Sequence, residues 1–208
     1  EDVVILPEIK TNLSVYGDTV LCDGDSVILS APQYGSGSIR MRNNLDYIEN
    51  IGTTNDYRFV HETGVFSIEY WAKLIDLAGA GLKIAVGNSK ANSDIGFSAG
   101  IQNSGGNNLF FARYGDGVGA QIIRSANEIV SDTTWHHYAF SVDSGEVKVF
   151  VDGVEITALN IVNSGGGWNP ISAPATNLLS IGQLPPGGLW QGALDEIRIW
   201  NIPITEEQ

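Results

Sequence analysis

The chain has a single cysteine, Cys22, in 208 residues. That excludes an internal disulfide and a thiolate zinc centre, each of which needs more than one thiol. Cys22 lies in an apolar strand pattern and reads as a packing residue. Basic residues are also scarce: 11 Lys and Arg stand against 24 Asp and Glu, for a net charge of −13. A nucleic-acid-binding surface needs a basic patch against phosphate, and scattered single cations do not make one. No apolar run reaches the roughly 18 residues that span a bilayer, so membrane insertion is not expected. The opening stretch, EDVVILPEIK, lacks the basic n-region and small-residue cleavage site of a secretory signal. The expectation is a chain whose signal has been removed, or a segment of a longer protein with further domains. There is no Gly-x-Gly-x-x-Gly after a strand, no phosphate-binding loop, no EF-hand spacing and no repeat of fixed period.

What is present is a strand-forming chain with long loops. It is 43% hydrophobic and 17% charged, with 25 glycines, enough for one sizeable core and a small additional piece. The segment Thr134 to Ile156, TWHHYAFSVDSGEVKVFVDGVEI, carries three strand signals joined by two tight turns. Ser144-Gly145 and Asp152-Gly153 suit two-residue type I′ loops, which need positive φ at both central positions. That register sets Val142 opposite Val147, Phe140 opposite Val149, Tyr138 opposite Val151, and Val151 opposite Val154. Tyr138, Phe140, Val142, Val147, Val149, Val151, Val154 and Ile156 then share one apolar face, which must be buried against a second layer.

Other strand signals run along the chain. Asp18–Cys22 and Ser26–Ser30 flank a turn at Asp23-Gly24-Asp25, and Gln33–Ser38 reads as a linker. Ile39 to Ile51 alternates around a turn at Asn43-Asn44. In Phe66–Leu74 one face takes Phe66, Ile68, Tyr70 and Ala72, and the other Ser67, Glu69, Trp71 and Lys73. Leu82–Val86, Leu109–Tyr114, Ala120–Arg124, Leu178–Gly182 and Gly192–Trp200 are further strands. Asn88–Ser98 reads as a loop, Ile161–Asn177 contains a long loop, NSGGGWNPISAPATN, and Thr205–Glu207 reads as the start of a helical turn. About ten to thirteen hairpin-connected strands indicate an antiparallel sandwich.

Four motifs in order, FSIEYWAKL, WHHYAFSVDSGEVKVFVDGVEI, LSIGQLP and GALDEIRIWNIPIT, resemble the laminin-G-like and pentraxin-like domains of the concanavalin A-like superfamily. Asp46-Tyr47 resembles the opening strand of that family. The resemblance covers roughly residues 38 to 205 and implies an all-β antiparallel jelly-roll sandwich over residues 36–208. It also implies rim loops that often hold Ca²⁺ and bind glycans or proteins. GDTVLCDGDSVILSAP resembles the opening of Ig-like repeats in bacterial surface adhesins. Residues 1–35 are therefore either a short N-terminal β segment of the main fold or the end of a preceding Ig-like domain.

Chemistry is sparse. Glucan-cleaving relatives need two carboxylates flanking one bond, about 5.5 Å apart in retaining enzymes. The Glu-x-Asp-x-(x)-Glu strand signature is absent, and alternation sends the adjacent Asp195 and Glu196 to opposite faces. Alternation likewise splits His136 and His137, so they do not chelate one ion. No enzyme is expected. For calcium, which takes six to eight oxygens, the candidates are Asp195 and Asp46, whose strands lie together in the resemblance, and Asp116 in a Gly-Asp-Gly turn; the ion would be structural. For a glycan, the candidates are Trp168 in GGGWNP, its neighbour Asn169, Tyr114, and Asn107 in the Gly105–Asn108 turn. Trp71, on the polar face of its strand, could line the concave surface. Trp135, Trp190 and Trp200 read as packing residues. The expected function is non-catalytic carbohydrate binding or adhesion in a larger secreted or cell-surface protein, with a glycan or cell-surface protein as partner. The alternatives are a structural or protein-interaction jelly roll of an adhesin stalk or phage virion and, less favoured, a glycoside hydrolase.

Overall fold

The computed structural model describes residues 38–41, 46–165, 167–183 and 188–204, together with the backbone of Val15–Tyr16 and Ser26–Leu29. The expected Asp18–Cys22 strand, its turn, Cys22, most of the linker, the Asn43-Asn44 turn and the Thr205–Glu207 turn lie outside the described residues.

In chain order the strands are β1 (Val15–Tyr16), β2 (Ser26–Leu29), β3 (Ile39–Met41), β4 (Ile48–Ile51), β5 (Val65–Leu74), β6 (Gly81–Gly87), β7 (Ile95–Ser104) and β8 (Asn107–Asp116). They continue with β9 (Ala120–Ser125), β10 (His136–Asp143), β11 (Glu146–Val151), β12 (Val154–Glu155), β13 (Leu159–Ser164), β14 (Leu179–Ile181) and β15 (Gly192–Trp200). One short helix, α1 (Phe59–Glu62), precedes β5. Two antiparallel sheets result. One has eight strands, in the order β1-β2-β15-β5-β10-β11-β12, with β3 also paired to β15. The other has seven, in the order β13-β9-β8-β7-β6-β14-β4.

The meander register follows the turn chemistry. Val142 pairs with Val147, Phe140 with Val149, Tyr138 with Val151, and Val151 with Val154. Ser144 and Gly145 have φ of 51° and 96°, and Asp152 and Gly153 have φ of 51° and 78°, as type I′ turns require. Phe66, Ile68, Tyr70 and Ala72 of β5 face inward with Tyr138, Phe140, Val142 and Val149. Rings from the two sheets interlock: Phe66 packs edge-on to Tyr114 at 5.5 Å, and Phe140 to Phe110 at 5.9 Å. Val154 departs from the expected buried face. It is 64% exposed, because β12 is a two-residue edge strand with no facing layer at its end.

Three other features differ from the sequence reading. β3 and β4 do not form a hairpin: β3 joins β15 in one sheet and β4 joins β14 in the other. The stretch read as a long loop is entered by the end of β13, at Asn163 and Ser164, an edge strand paired with β9. β7 is not among the expected strands and begins inside the stretch read as the Asn88–Ser98 loop, β8 is longer than expected, and Gly105-Gly106 alone closes their hairpin.

Candidate functional site

The inner faces of both sheets are filled by the core, so the outer faces and rims hold what remains for chemistry. On the outer face of the eight-stranded sheet, strand register lines up rows of side chains. Trp71 of β5 lies between His137 of β10 and Asp195 of β15. The next row is Ala139, Glu69 and Arg198, and the row beyond it Ser141, Ser67 and Trp200. On the other side of Trp71, Lys73 pairs with Ala193, which pairs with Arg40.

Trp71 and Trp135, 38% and 37% exposed, line a cleft of about 280 Å³ with Asp195 and Glu196. A second cleft of about 200 Å³ shares Trp135 and is lined by Arg40, Lys73, Ile75 and Gly192. Trp135 is therefore not the packing residue its sequence context suggested. It precedes β10, beyond the last strand-paired position, where no opposing layer covers it.

The acidic pair corrects the alternation argument. Both Asp195 and Glu196 line the first cleft, because β15 slips register between Asp195 and Arg198 against β5. Glu196 carries the slip with φ of 45°. A β-bulge inserts one extra residue and re-aims its side chain, and a non-glycine residue in the left-handed region is strained by roughly 1 kcal/mol or more. Glu196 donates its backbone N–H to Asp195 Oδ1 at 2.8 Å. Burial raises the Asp195 carboxyl above its ordinary value, and the negative charge of Glu196 adds to this.

Behind the cleft, Glu69 is almost fully buried and anchors a network. Its Oε1 accepts from Arg198 Nη1 at 3.3 Å and from Trp200 Nε1 at 3.1 Å, and its Oε2 lies 3.2 Å from His137 Nε2. Burial opposes the Glu69 charge, but the His137 hydrogen bond and Arg198 outweigh it and hold its pKa below the usual value. His137 packs on Trp71, ring centroids 5.3 Å apart. Arg198 Nη2 donates to Glu196 Oε2 at 2.7 Å. The exposed indole and one of the cleft carboxylates are thus both supported from the same buried glutamate. The C-terminal segment closes the far end of this face: Ile204 packs with Ala139, Phe150 and Trp200, and its N–H donates to Ser67 Oγ at 2.8 Å.

The glycan candidates at the rim are differently placed. Trp168, Asn169, Tyr114 and Asp116 come together at one end of the sandwich. Asn107 is exposed but stands at the opposite end of β8, roughly 30 Å away at about 3.4 Å per residue. Tyr114 is fully buried and so presents no face to a ligand; it points inward in alternation with Arg113, and its hydroxyl donates to Gln121. Trp168 is half-buried, packs against the main core and meets Tyr114 edge-on at 5.6 Å. It lies over Gly64, where a Cβ would fall inside the indole ring atoms and where φ is +64°. Asp116 pins this loop: Oδ1 accepts the N–H groups of Val118 and Gly119 at 2.9 and 2.7 Å, and Oδ2 accepts Asn169 N–H at 2.8 Å. Asn169 is exposed beside Trp168, and its side-chain amide reaches back to Asp116 Oδ2 at 3.5 Å.

Residues that could hold calcium do not converge. Asp116 spends both oxygens on backbone donors, Asp195 belongs to the eight-stranded sheet, and Asp46 precedes β4 of the other sheet. Among the described residues no group of three or more His, Cys, Asp and Glu could hold a metal ion. Asp46, Asp116 and Asp195 therefore do not form one carboxylate cradle. Two histidines outside the cleft are tied into local hydrogen bonds. His136 Nδ1 meets Asp152 at 2.7 Å and Nε2 meets Asp132 at 3.1 Å, while His61 is buried with Nε2 at 2.6 Å from the Ala173 carbonyl. Among the described residues no helix is long and apolar enough to cross a membrane.

A family model described as the concanavalin A-like lectin/glucanases superfamily matches residues 46–208, most of the chain and all of both sheets from β4 onward. The chain belongs to this superfamily, in its laminin-G-type branch. Solved structures share the fold. Domain 4 of a GH43 extracellular arabinanase from Geobacillus stearothermophilus, in complex with arabinotriose, is 24% identical, with TM-score 0.51, over 72% of this chain and 66% of that one. The CBM40 of a Ruminococcus gnavus sialidase, bound to α2,6 sialyllactose, is 15% identical, with TM-score 0.51, over 82% of this chain and 93% of that one. The binding domain of botulinum neurotoxin DC, in complex with rat synaptotagmin II, is 10% identical, with TM-score 0.52, over 88% of this chain and 45% of that one. No curated protein matches the chain.

Sequence reasoning missed the cleft for two reasons. It assigned Trp135 to packing, and it assumed unbroken alternation through β15. One signal was available: the core residues Leu194, Ile197 and Ile199 are spaced three and then two apart, a slip of one residue that marks a bulge.

Proposed function

We propose that this domain is a non-catalytic carbohydrate-binding module of a larger secreted or cell-surface protein, and that it holds its glycan in the cleft between Trp71 and Trp135. The observation that carries this reading is the pair of exposed indoles over a cleft into which a strained bulge turns both Asp195 and Glu196. Indole faces accept the C–H face of a sugar ring, and carboxylates accept its hydroxyl protons; a few placed polar groups beside aromatic walls are the usual make-up of such a site. The site is built on strands, and Glu69, His137 and Arg198 fix it from behind, so little ordering is required on binding. The neighbours solved with arabinotriose and with sialyllactose support the reading through a shared fold. Glu196 is held by Arg198, which favours recognition over a free nucleophile.

The test is a glycan array with the native domain, followed by the variants Trp71→Ala, Trp135→Ala and Trp168→Ala. The first two are expected to lower affinity by about tenfold or more, equivalent to about 1.4 kcal/mol, and the third to leave the glycan preference unchanged. Release of new reducing ends from a bound glycan would overturn the non-catalytic reading. A second reading, protein recognition, draws on the edge strand β13, where Ile161 and Val162 are both exposed. An unpaired edge with apolar side chains is a template for strand addition, and retention of a protein partner that is lost on Val162→Lys would support it.

A further inference from the structure

The first cleft has a sign, and the sign selects among sugars. Asp195 and Glu196 line it, with Glu69 behind them. The one cation of this group, Arg198, is committed twice, to Glu69 and to Glu196. Asp195 accepts a single hydrogen bond among the described residues, from the adjacent backbone N–H. Lys73 and Arg40 stand beyond Trp135 and line the second cleft. Indole faces attract cations through the ring quadrupole and give nothing to anions. A carboxylate or sulfate on a sugar entering beside Trp71 would meet two carboxylates.

Resting on the carbohydrate reading above, we propose that the Trp71–Trp135 cleft binds the protonated amino group of an amino sugar, with Asp195 as its principal counter-charge and Glu196 as the second. The neighbouring sugar then passes Trp135 into the cleft of Lys73 and Arg40, so the two clefts end to end take an oligosaccharide, where an isolated cation would fill only one. A bound ammonium also relieves the crowding of Asp195 by Glu196, since an opposite charge within a few ångströms favours the ionised carboxylate. Sialylated and uronic-acid glycans are disfavoured at this site, although a sialic-acid-binding domain shares the fold.

The full chain is titrated calorimetrically, at mildly acidic pH, with a glucosamine oligosaccharide, its fully N-acetylated counterpart, an oligogalacturonate, and choline as a competitor. The amino form is expected to bind about tenfold tighter than the acetylated form, to weaken with added salt, and to resist choline; the oligogalacturonate is expected not to bind. Asp195→Asn should erase the preference, with Glu196→Gln reducing it partly, while the melting temperature of each variant reports that the fold is kept. Trp71→Ala should weaken both sugars alike. Equal or tighter binding of the acetylated form, still lost in Trp71→Ala, overturns the charge inference and leaves the carbohydrate reading standing. Choline that displaces the oligosaccharide at matched concentration assigns the cleft to a quaternary ammonium headgroup and overturns the sugar assignment. Binding of none of these sugars, together with a glycan array that does not respond to Trp71→Ala, removes both readings.

Discussion

Trp168→Ala separates two roles that one tryptophan could have at a sandwich rim. The indole packs against the core, meets Tyr114 edge-on at 5.6 Å and covers Gly64, so it closes the end of the sandwich. Truncating a fully buried Phe or Trp costs about 3–5 kcal/mol. Trp168 is half-buried, which reduces the loss, and its Nε1 is enclosed without a partner, so removal also relieves an unsatisfied donor worth about 1 kcal/mol or more. The net expectation is a destabilisation of about 2 kcal/mol, read as a lower urea midpoint at unchanged slope, or a melting temperature lower by about 4–8 °C for a domain of this size. Trp168→Phe keeps the ring contact and drops the stranded N–H, so it should lie near the native value. Glycan affinity measured well below the melting transition should not change. A Trp168→Ala domain of native stability that has lost its glycan would refute the plug role and return the site to the rim loop.

Four further outcomes follow from the same geometry. Glu69→Gln leaves Arg198 and His137 without their buried counter-charge and should cost about 1–3 kcal/mol in urea unfolding, with weaker ligand retention because His137 and Trp71 lose their support. Two histidines predict opposite pH behaviour: in His136, hydrogen bonds to Asp152 and Asp132 outweigh burial and raise the pKa, whereas in His61 burial lowers it. The His136 contribution is complete below the unfolded value of about 6.5 and is lost as pH rises through the higher folded value, while that of His61 is complete above about 6.5 and fades as pH falls. Urea midpoints of His136→Gln and His61→Gln against native protein, from acid to alkaline pH, check both signs. Glu196→Gly relieves the left-handed backbone but also removes the ion pair to Arg198, so stability should change by no more than about 1 kcal/mol while glycan binding weakens, measured by melting and calorimetry on the same samples. EDTA should leave the melting temperature unchanged, because Asp46, Asp116 and Asp195 do not converge; a fall of several degrees would reveal a cation held by backbone oxygens.

The parts of this fold that were legible in sequence are those set by local rules. The Ser144-Gly145 and Asp152-Gly153 turns need positive φ, so they fixed the register of β10, β11 and β12 residue by residue. Strict alternation in Phe66–Leu74 fixed which face of β5 meets the core. The illegible parts depend on contacts between distant segments. Whether Ile39–Ile51 is a hairpin or a crossover between sheets depends on β14 and β15 as competing partners. Val154 carries an apolar side chain in correct alternation, yet nothing in the meander says that the opposing layer stops short of it. The rim loop shows the same limit. A lone Trp168 in GGGWNP suits a ligand platform and an end plug equally well, and the contact that orders this loop, Asn169 N–H to Asp116, comes from 53 residues earlier in the chain.

The bulge in β15 joins fold and site in one feature. A regular strand would place Glu196 toward the core, where an unpaired carboxylate is costly, or would shift Ile197 and Ile199 out of it. The extra residue keeps Leu194, Ile197 and Ile199 buried and puts the acidic pair outside. The same slip brings Arg198 opposite Glu69, so the cation that holds Glu196 is itself anchored under Trp71. Positive φ at a non-glycine residue persists only where surrounding contacts outweigh its strain, and here those contacts are the ion pair to Arg198 and the hydrogen bond to Asp195. Glycine would satisfy the backbone at position 196 with no strain at all. That the position holds a glutamate directed into a tryptophan-lined cleft is the strongest indication that the bulge serves recognition as well as packing.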